Sequence, residues 1–163
     1  MKRWLVTVAA AACLALPSLA QHKTFIQAEL LKTVKAKSAQ AGDPVKARVV
    51  AGVVLPGGVT IPEGAVLFGE VRAADPNSVS ISFEQVEIKG NKTPLSLSIR
   101  AAMLPSGPQN HVNGVAAQAG AVIGMPGVTL QVDDSAQHAS KFASSGKELQ
   151  LKQGLQFMLG VPE

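Results

Sequence analysis

"VTIPEGAVLFGEVRAAD", residues 59–75, sets two runs of β-type apolar residues on either side of Ile61-Pro62-Glu63-Gly64 and places a second glycine, Gly69, inside the second run. Proline cannot donate to a strand ladder, so Pro62 marks an edge or a bend. Glycine supplies positive φ or room for close backbone approach. "IPEG" therefore predicts a tight turn with Gly64 in the left-handed conformation, leading into a strand. Gly69 predicts a curved strand relieved of crowding at that point. A phosphate-cradling glycine loop needs a helix behind it, and here a strand follows. Glu63 and Glu70 have no partner motif, so the stretch reads as a corner.

The sequence on either side carries the same β signature. Ile26, Ala28 and Leu30 alternate with Gln27 and Glu29; Val45, Ala47 and Val49 alternate with Lys46 and Arg48. Leu95, Leu97 and Ile99 alternate with serines and Arg100, and Leu155, Phe157 and Leu159 with Gln156 and Met158. Period-two alternation turns one face to a core and the other to water. Turn chemistry fills the intervals: Ala41-Gly42-Asp43-Pro44, Pro56-Gly57-Gly58, Asp75-Pro76-Asn77-Ser78 and Gly90-Asn91. Short strands at this spacing predict an all-β fold, a small antiparallel β-barrel or sandwich. In "SVSISFEQVEI" (78–88) Val79, Ile81 and Phe83 share a parity that Val86 and Ile88 break. A β-bulge near Glu84-Gln85 would return the later pair to the core face. Phe68, Phe83 and Phe157 occupy core-like positions.

The ends and the composition set compartment and scale. Lys2 and Arg3, an uncharged apolar run from Trp4 to Leu16, and Pro17-Ser18-Leu19-Ala20 form a signal peptide over residues 1–20, cut after Ala20. The alternative makes Cys13 a lipidated N-terminal cysteine; Ala10 stands where such sites usually carry a larger aliphatic residue. The apolar run is too short to span a bilayer, which takes roughly 20 residues. Cleavage removes Lys2 and Arg3 and no acid, so the net charge of +4 falls by two. The single Cys and the single Trp go with it. The remaining chain, 21–163, is long enough for one β domain with a core. It has no disulfide and must be held by packing and its ladder. The expected address is the periplasm or cell envelope, or secretion beyond it. No later segment spans a membrane as a helix.

Within that domain the core is expected at about 24–100 and 149–161. Residues 101–128, rich in Gly, Ala and Pro, read as an excursion, with a short helix an option over Val115 to Ile123. Residues 133–148 read as a second loop, and Leu149 to Val161 as a closing hairpin or one strand bent at Gly154.

Motifs for chemistry are sparse. His22, His111 and His138 are scattered. Asp133-Asp134 with His138 reads as a solvated polar loop rather than the three or four converging ligands a metal needs. There is no G-x-S-x-G elbow, no dinucleotide fingerprint and no Walker loop. Ser144-Ser145-Gly146-Lys147 has an S-x-x-K spacing, which in serine acyl-enzymes puts the lysine one helical turn from the serine; no companion motif accompanies it. Lys32, Lys35 and Lys37 lack the stacking aromatics of a single-strand binder and read as a protected sheet edge. Asn91-Lys92-Thr93 is a formal glycosylation sequon ahead of Pro94. No catalytic, cofactor-binding or metal residue is assigned. The residues singled out are structural: Gly42, Asp43, Pro62, Gly64 and Gly69.

"AGDPVKARVV" (41–50), "LPGGVTIPEGAVLFGEV" (55–71) and "SVSISFEQVEIKGNKTPLSLSIRA" (78–101) together resemble a group of small exported bacterial β-proteins of uncharacterised function. The shared pattern is G-D-x-V, then I-P-x-G-x-x-x-x-G-x-V, then a strand ending in F-x-x-[VI], a glycine turn and a polar-alternating strand. The same core is similar to the C-terminal β-barrel of the TrbI-type scaffold of conjugative type IV secretion. The resemblance implies a periplasmic barrel that contacts other envelope proteins, and implies no catalytic residue. The chain departs from that scaffold by its cleavable leader and by a glycine-broken 101–128 in place of a long amphipathic projection. Three functions follow in order. The first is a non-catalytic envelope protein that binds or scaffolds other envelope proteins. The second is a small-molecule or glycan-binding module in the barrel mouth, lined by Met103, Met125 and phenylalanines. The third is a hydrolase using Ser144 and Lys147. Nucleic acid is not an expected partner, and no oligomeric state is implied.

Overall fold

The computed structural model describes residues 24–104, 120–132 and 138–161. Among them there is no helix. The strands are β1 (Phe25–Leu30), β2 (Val34–Lys35), β3 (Pro44–Val49), β4 (Val53–Val54), β5 (Thr60–Ile61), β6 (Val66–Asp75) and β7 (Ser78–Ile88). They continue with β8 (Asn91–Met103), β9 (Ala121–Ile123), β10 (Val128–Gln131), β11 (Ser140–Ser144), β12 (Gln150–Leu151) and β13 (Gln156–Gly160). Six of them close an antiparallel barrel in the order β1-β3-β6-β7-β8-β13, and β13 pairs back onto β1. Of the two expected architectures, the barrel is the one formed.

The alternating runs build the wall as their pattern requires. Ile26, Ala28 and Leu30 of β1 and Val45, Ala47 and Val49 of β3 all point into the core. The parity break in β7 is a bulge. Its register against β8 shifts between Phe83 and Gln85, Glu84 and Gln85 are both exposed, and Val86 is buried again. Phe83 and Phe142 flank Phe157 at centroid distances of 6.0 and 6.1 Å, with tilted rings. All three are fully buried, so the barrel interior is filled by interlocking aromatics.

Phe68 differs from its expected place. Leu67, Gly69 and Val71 face inward, and Phe68 shares the parity of Glu70 and Arg72 on the outside. Phe142, from a stretch read as a loop, takes the third core position instead.

The barrel is closed directly at one end of the β7–β8 pair and bridged at the other. β7 and β8 pair from Ile88↔Asn91 to Phe83↔Leu97 and then diverge. β11 joins the freed half of β7, from Ser140↔Ile81 to Ala143↔Ser78, and β10 adds to β11. On the other side β9 runs parallel to the end of β8, from Ala101↔Ala121 to Met103↔Ile123. So the stretches 101–128 and 133–148, expected as loops, contribute the end of β8, all of β9, the start of β10 and all of β11. The optional helix over Val115 to Ile123 lies partly outside the described residues; its end, Ala121–Ile123, is strand β9. Leu149 to Val161 is no hairpin. β12 pairs with β2 in a separate small sheet, the chain turns at Gly154 (φ 85), and β13 enters the barrel.

Candidate functional site

Gly42, Asp43, Pro62, Gly64 and Gly69 do not converge on one point. They bracket a single ladder, β3 on β6. At one end Gly42 N–H donates to Val71 O (2.8 Å) and Val71 N–H to Asp43 O (2.9 Å). The Asp43 carboxylate accepts from Gln40 N–H at 2.9 Å while Asp43 N–H donates to Gln40 O, so this turn is tied twice. At the other end Gly64 N–H donates to Val49 O (2.9 Å), Val49 N–H to Ala65 O (2.8 Å), and Ala65 N–H closes a turn on Pro62 O. Gly64 has φ +83, the conformation a turn of this kind asks of its third residue. Between the ends, a Cβ on Gly69 would collide with the Ser82 carbonyl oxygen and the Phe83 ring. These residues set register and curvature.

The chemical candidates fall apart in space. Ser144 ends β11, its N–H bonded to Asn77 O, and Lys147 lies beyond the bend at Gly146 (φ +87) in open solvent. The helical turn that would bring serine and lysine together is not formed. His138 stands half-buried in a positive-φ conformation (φ 46), its Nδ1 without a hydrogen-bond partner. His22, His111, Asp133 and Asp134 lie outside the described residues. Among the described residues no three His, Cys, Asp or Glu side chains gather as metal ligands. No helix there is long and apolar enough to cross a membrane.

Of the side chains expected around a ligand in the barrel mouth, Met125 lines a recess among the described residues. That recess, about 190 Å³, lies between Leu104, Gly124, Met125, Gln150 and Lys152. Met103 packs with Ala101, Met158 and Phe25 in a small cluster separate from the main core.

The surface features are of two kinds. The first is apolar. Leu55 and Ile61 anchor the β4–β5 hairpin in the core, while Val54 is 61% and Val59 46% exposed. Its tip is a tight turn, Gly58 N–H to Leu55 O at 3.0 Å, with Pro56 and then Gly57 at φ 93. The second kind is charged. On the barrel's outer face Arg48 holds Glu29 at 2.6 Å, and Arg72 holds Glu70 at 2.6 Å, pairs with Glu84, and donates Nε–H to Ser82 Oγ at 2.8 Å. Nearby, Lys46 and Lys92 stand over the Phe68 ring. At the β2–β12 end Lys37 donates to Glu148 at 2.7 Å, and that bond, with the attraction of the carboxylate, raises the Lys37 pKa.

The sequence reading missed Val54 and Val59 as display positions. The signal was available: "VVLPGGVT" carries more apolar residues than a two-stranded hairpin can bury on one face. Comparison of the chain with protein-family models, curated proteins and solved structures found no match.

Proposed function

We propose that this is a non-catalytic envelope protein whose barrel binds or scaffolds another protein through the β4–β5 hairpin. The observation that carries the reading is the split within that hairpin. Leu55 and Ile61 lock it to the barrel, while Val54 on β4 and Val59 just after the turn stand out in water. Exposed apolar side chains on an anchored hairpin gain free energy when a partner covers them, at about 25 cal/mol per Å² of apolar surface. The filled interior weighs against the second reading, a ligand in the barrel mouth. Export by cleavage after Ala20 belongs to this same proposal, as does the likeness of the barrel to the TrbI-type one.

The test is site-specific photocrosslinking in the protein's own host. A photoreactive residue at Val54 is expected to give a discrete protein adduct that Val59→Glu abolishes. The same group at Lys141, on β11, is expected to give none. A folded protein with no Val54 adduct, or with equal labelling at Lys141, sinks the proposal. Export has a separate readout: a chain cut after Ala20 has lost Trp4 and is nearly transparent at 280 nm.

A further inference from the structure

The barrel carries a small two-stranded sheet at each end. β5 leads into the start of β6, while β12 is tied to the turn after the end of β6, Leu149 N–H donating to Pro76 O at 3.1 Å. The β2–β12 sheet has two unlike faces. Ala36, Leu149 and Leu151 are buried in the main core and fix it to the barrel. Alternation sends Lys35, Lys37, Glu148, Gln150 and Lys152 to the other face, and all five are exposed. Register sets them side by side. Lys35 lies opposite Gln150, Lys37 bonds Glu148 across the pair at 2.7 Å, and Lys152 follows two residues after Gln150 on the same side. Lys32 and Lys147, both exposed, flank the strands. Among the described residues of 32–37 and 147–152 there are thus five lysines and one acid, Glu148. The acids next to this end are engaged: Asp43 accepts from Gln40 N–H, Asp75 from Ser78 Oγ, and Glu29 is held by Arg48. With Asp43 and Asp75 counted against the lysines as well, five cations against three carboxylates, the excess is still +2.

We propose that this end of the barrel docks on a bilayer containing anionic lipid. The lysines are spread over a sheet face rather than gathered at a point, and a charged plane needs no convergence: it attracts each cation lying within a Debye length of it. A flat two-stranded sheet presents its outward side chains in one layer, which suits such a plane. Its margin is apolar. Gln150 and Lys152 share the recess with Leu104, Gly124 and Met125, and Ile123, next to Gly124, is 39% exposed. Lysines beside exposed apolar side chains are the combination that holds a protein at a membrane interface. An acidic protein segment would answer the lysines alone; the apolar margin favours the bilayer. The docking face does not rest on the protein-binding reading, because the β4–β5 hairpin lies at the other end and stays free.

The test is flotation of the protein, purified from its own host, with phosphatidylcholine vesicles that contain or lack phosphatidylglycerol. Binding is expected only with phosphatidylglycerol, and it should fall steeply with added sodium chloride. Lys35→Gln and Lys152→Gln are each expected to weaken it about fivefold. Lys89→Gln, in the β7–β8 turn at the other end, should leave it unchanged. Ile123→Ser is expected to weaken binding a few-fold without altering the salt dependence, which counts charges. Equal binding to neutral vesicles, or an unchanged affinity in the double Lys35→Gln/Lys152→Gln variant, overturns the proposal. So does binding of poly-glutamate as tight as that of the vesicles and indifferent to Ile123→Ser, which would assign the face to an acidic protein. Val54→Glu should leave vesicle binding intact, so its failure and that of the protein-binding reading are read separately.

Discussion

The Ser140 hydroxyl serves both backbone groups of Ile99. Ile99 N–H donates to Ser140 Oγ at 2.9 Å, and Ser140 Oγ–H donates to Ile99 O at 3.1 Å. Ile99 lies on β8 between Leu97, which still pairs with β7, and Ala101, which already pairs with β9. On that edge of β8 neither β7 nor β9 reaches it, while Leu159 of β13 is its register partner on the other edge. A hydroxyl is donor and acceptor in one atom, so a single side chain closes the gap.

Ser140→Ala should therefore leave a buried N–H and C=O unpaired together. The expected loss is about 1–3 kcal/mol, read as a lower denaturation midpoint at unchanged m-value. Wild-type stability in this variant would mean that the bridge contributes nothing.

Gly69 and Gly64 should answer differently to alanine. At Gly64 the space is open and the cost is backbone strain at positive φ, about 1–2 kcal/mol. At Gly69 the new methyl meets the Ser82 carbonyl, which is backbone and cannot swing aside. Gly69→Ala should cost about 3 kcal/mol or more, the top of the overpacking range, and Phe83→Leu should not rescue it. Thermal unfolding of the three variants checks the order.

Two phenylalanines make the contrast between wall faces. Phe157→Ala empties the centre of the aromatic trio and should cost about 3–5 kcal/mol. Phe68→Ala, on the outer face, should stay under about 1 kcal/mol. Comparable losses for both would contradict the assignment of Phe68 to the outside.

The Lys37–Glu148 pair predicts an alkaline effect through Lys37. The Lys37 pKa is raised above its ordinary 10.5. Its contribution to stability is then fully present below the unfolded pKa and is lost as pH climbs through the folded one. Both side chains are largely exposed, so added salt should shrink the effect. Following the Lys37 Cε resonance with pH, in wild type and Glu148→Gln, tests this; the variant should titrate lower.

Much of the wall was legible because burial on one face leaves a period in the chain. β1 and β3 alternate without exception, and the bulge at Phe83–Gln85 was visible as a break in parity. Phe68 was legible too, since its parity is that of Glu70 and Arg72; hydrophobicity alone had drawn it inward. β9 to β11 were not. They are short, and "SKFAS" offers one large apolar residue, Phe142, too few to show a period. The Ser140 bridge was hidden for another reason. It joins positions 41 residues apart, and a serine in a polar stretch looks the same whether or not a distant amide needs it. The lysine pair on Phe68 comes from three strands, and no spacing along the chain encodes it.

The seam between β1 and β13 has a kinetic meaning. Strand β1 finds one of its two neighbours in β13, so Phe25 meets Gly160 only when everything between them has emerged from the ribosome. Until then the wall is an open, twisted sheet with two bare margins, the state in which such chains aggregate or recruit chaperones. Ring closure is a late, long-range event and makes for slow folding. The same delay would keep a chain of this topology unlocked, and threadable through a narrow pore, for as long as its last strand is held back.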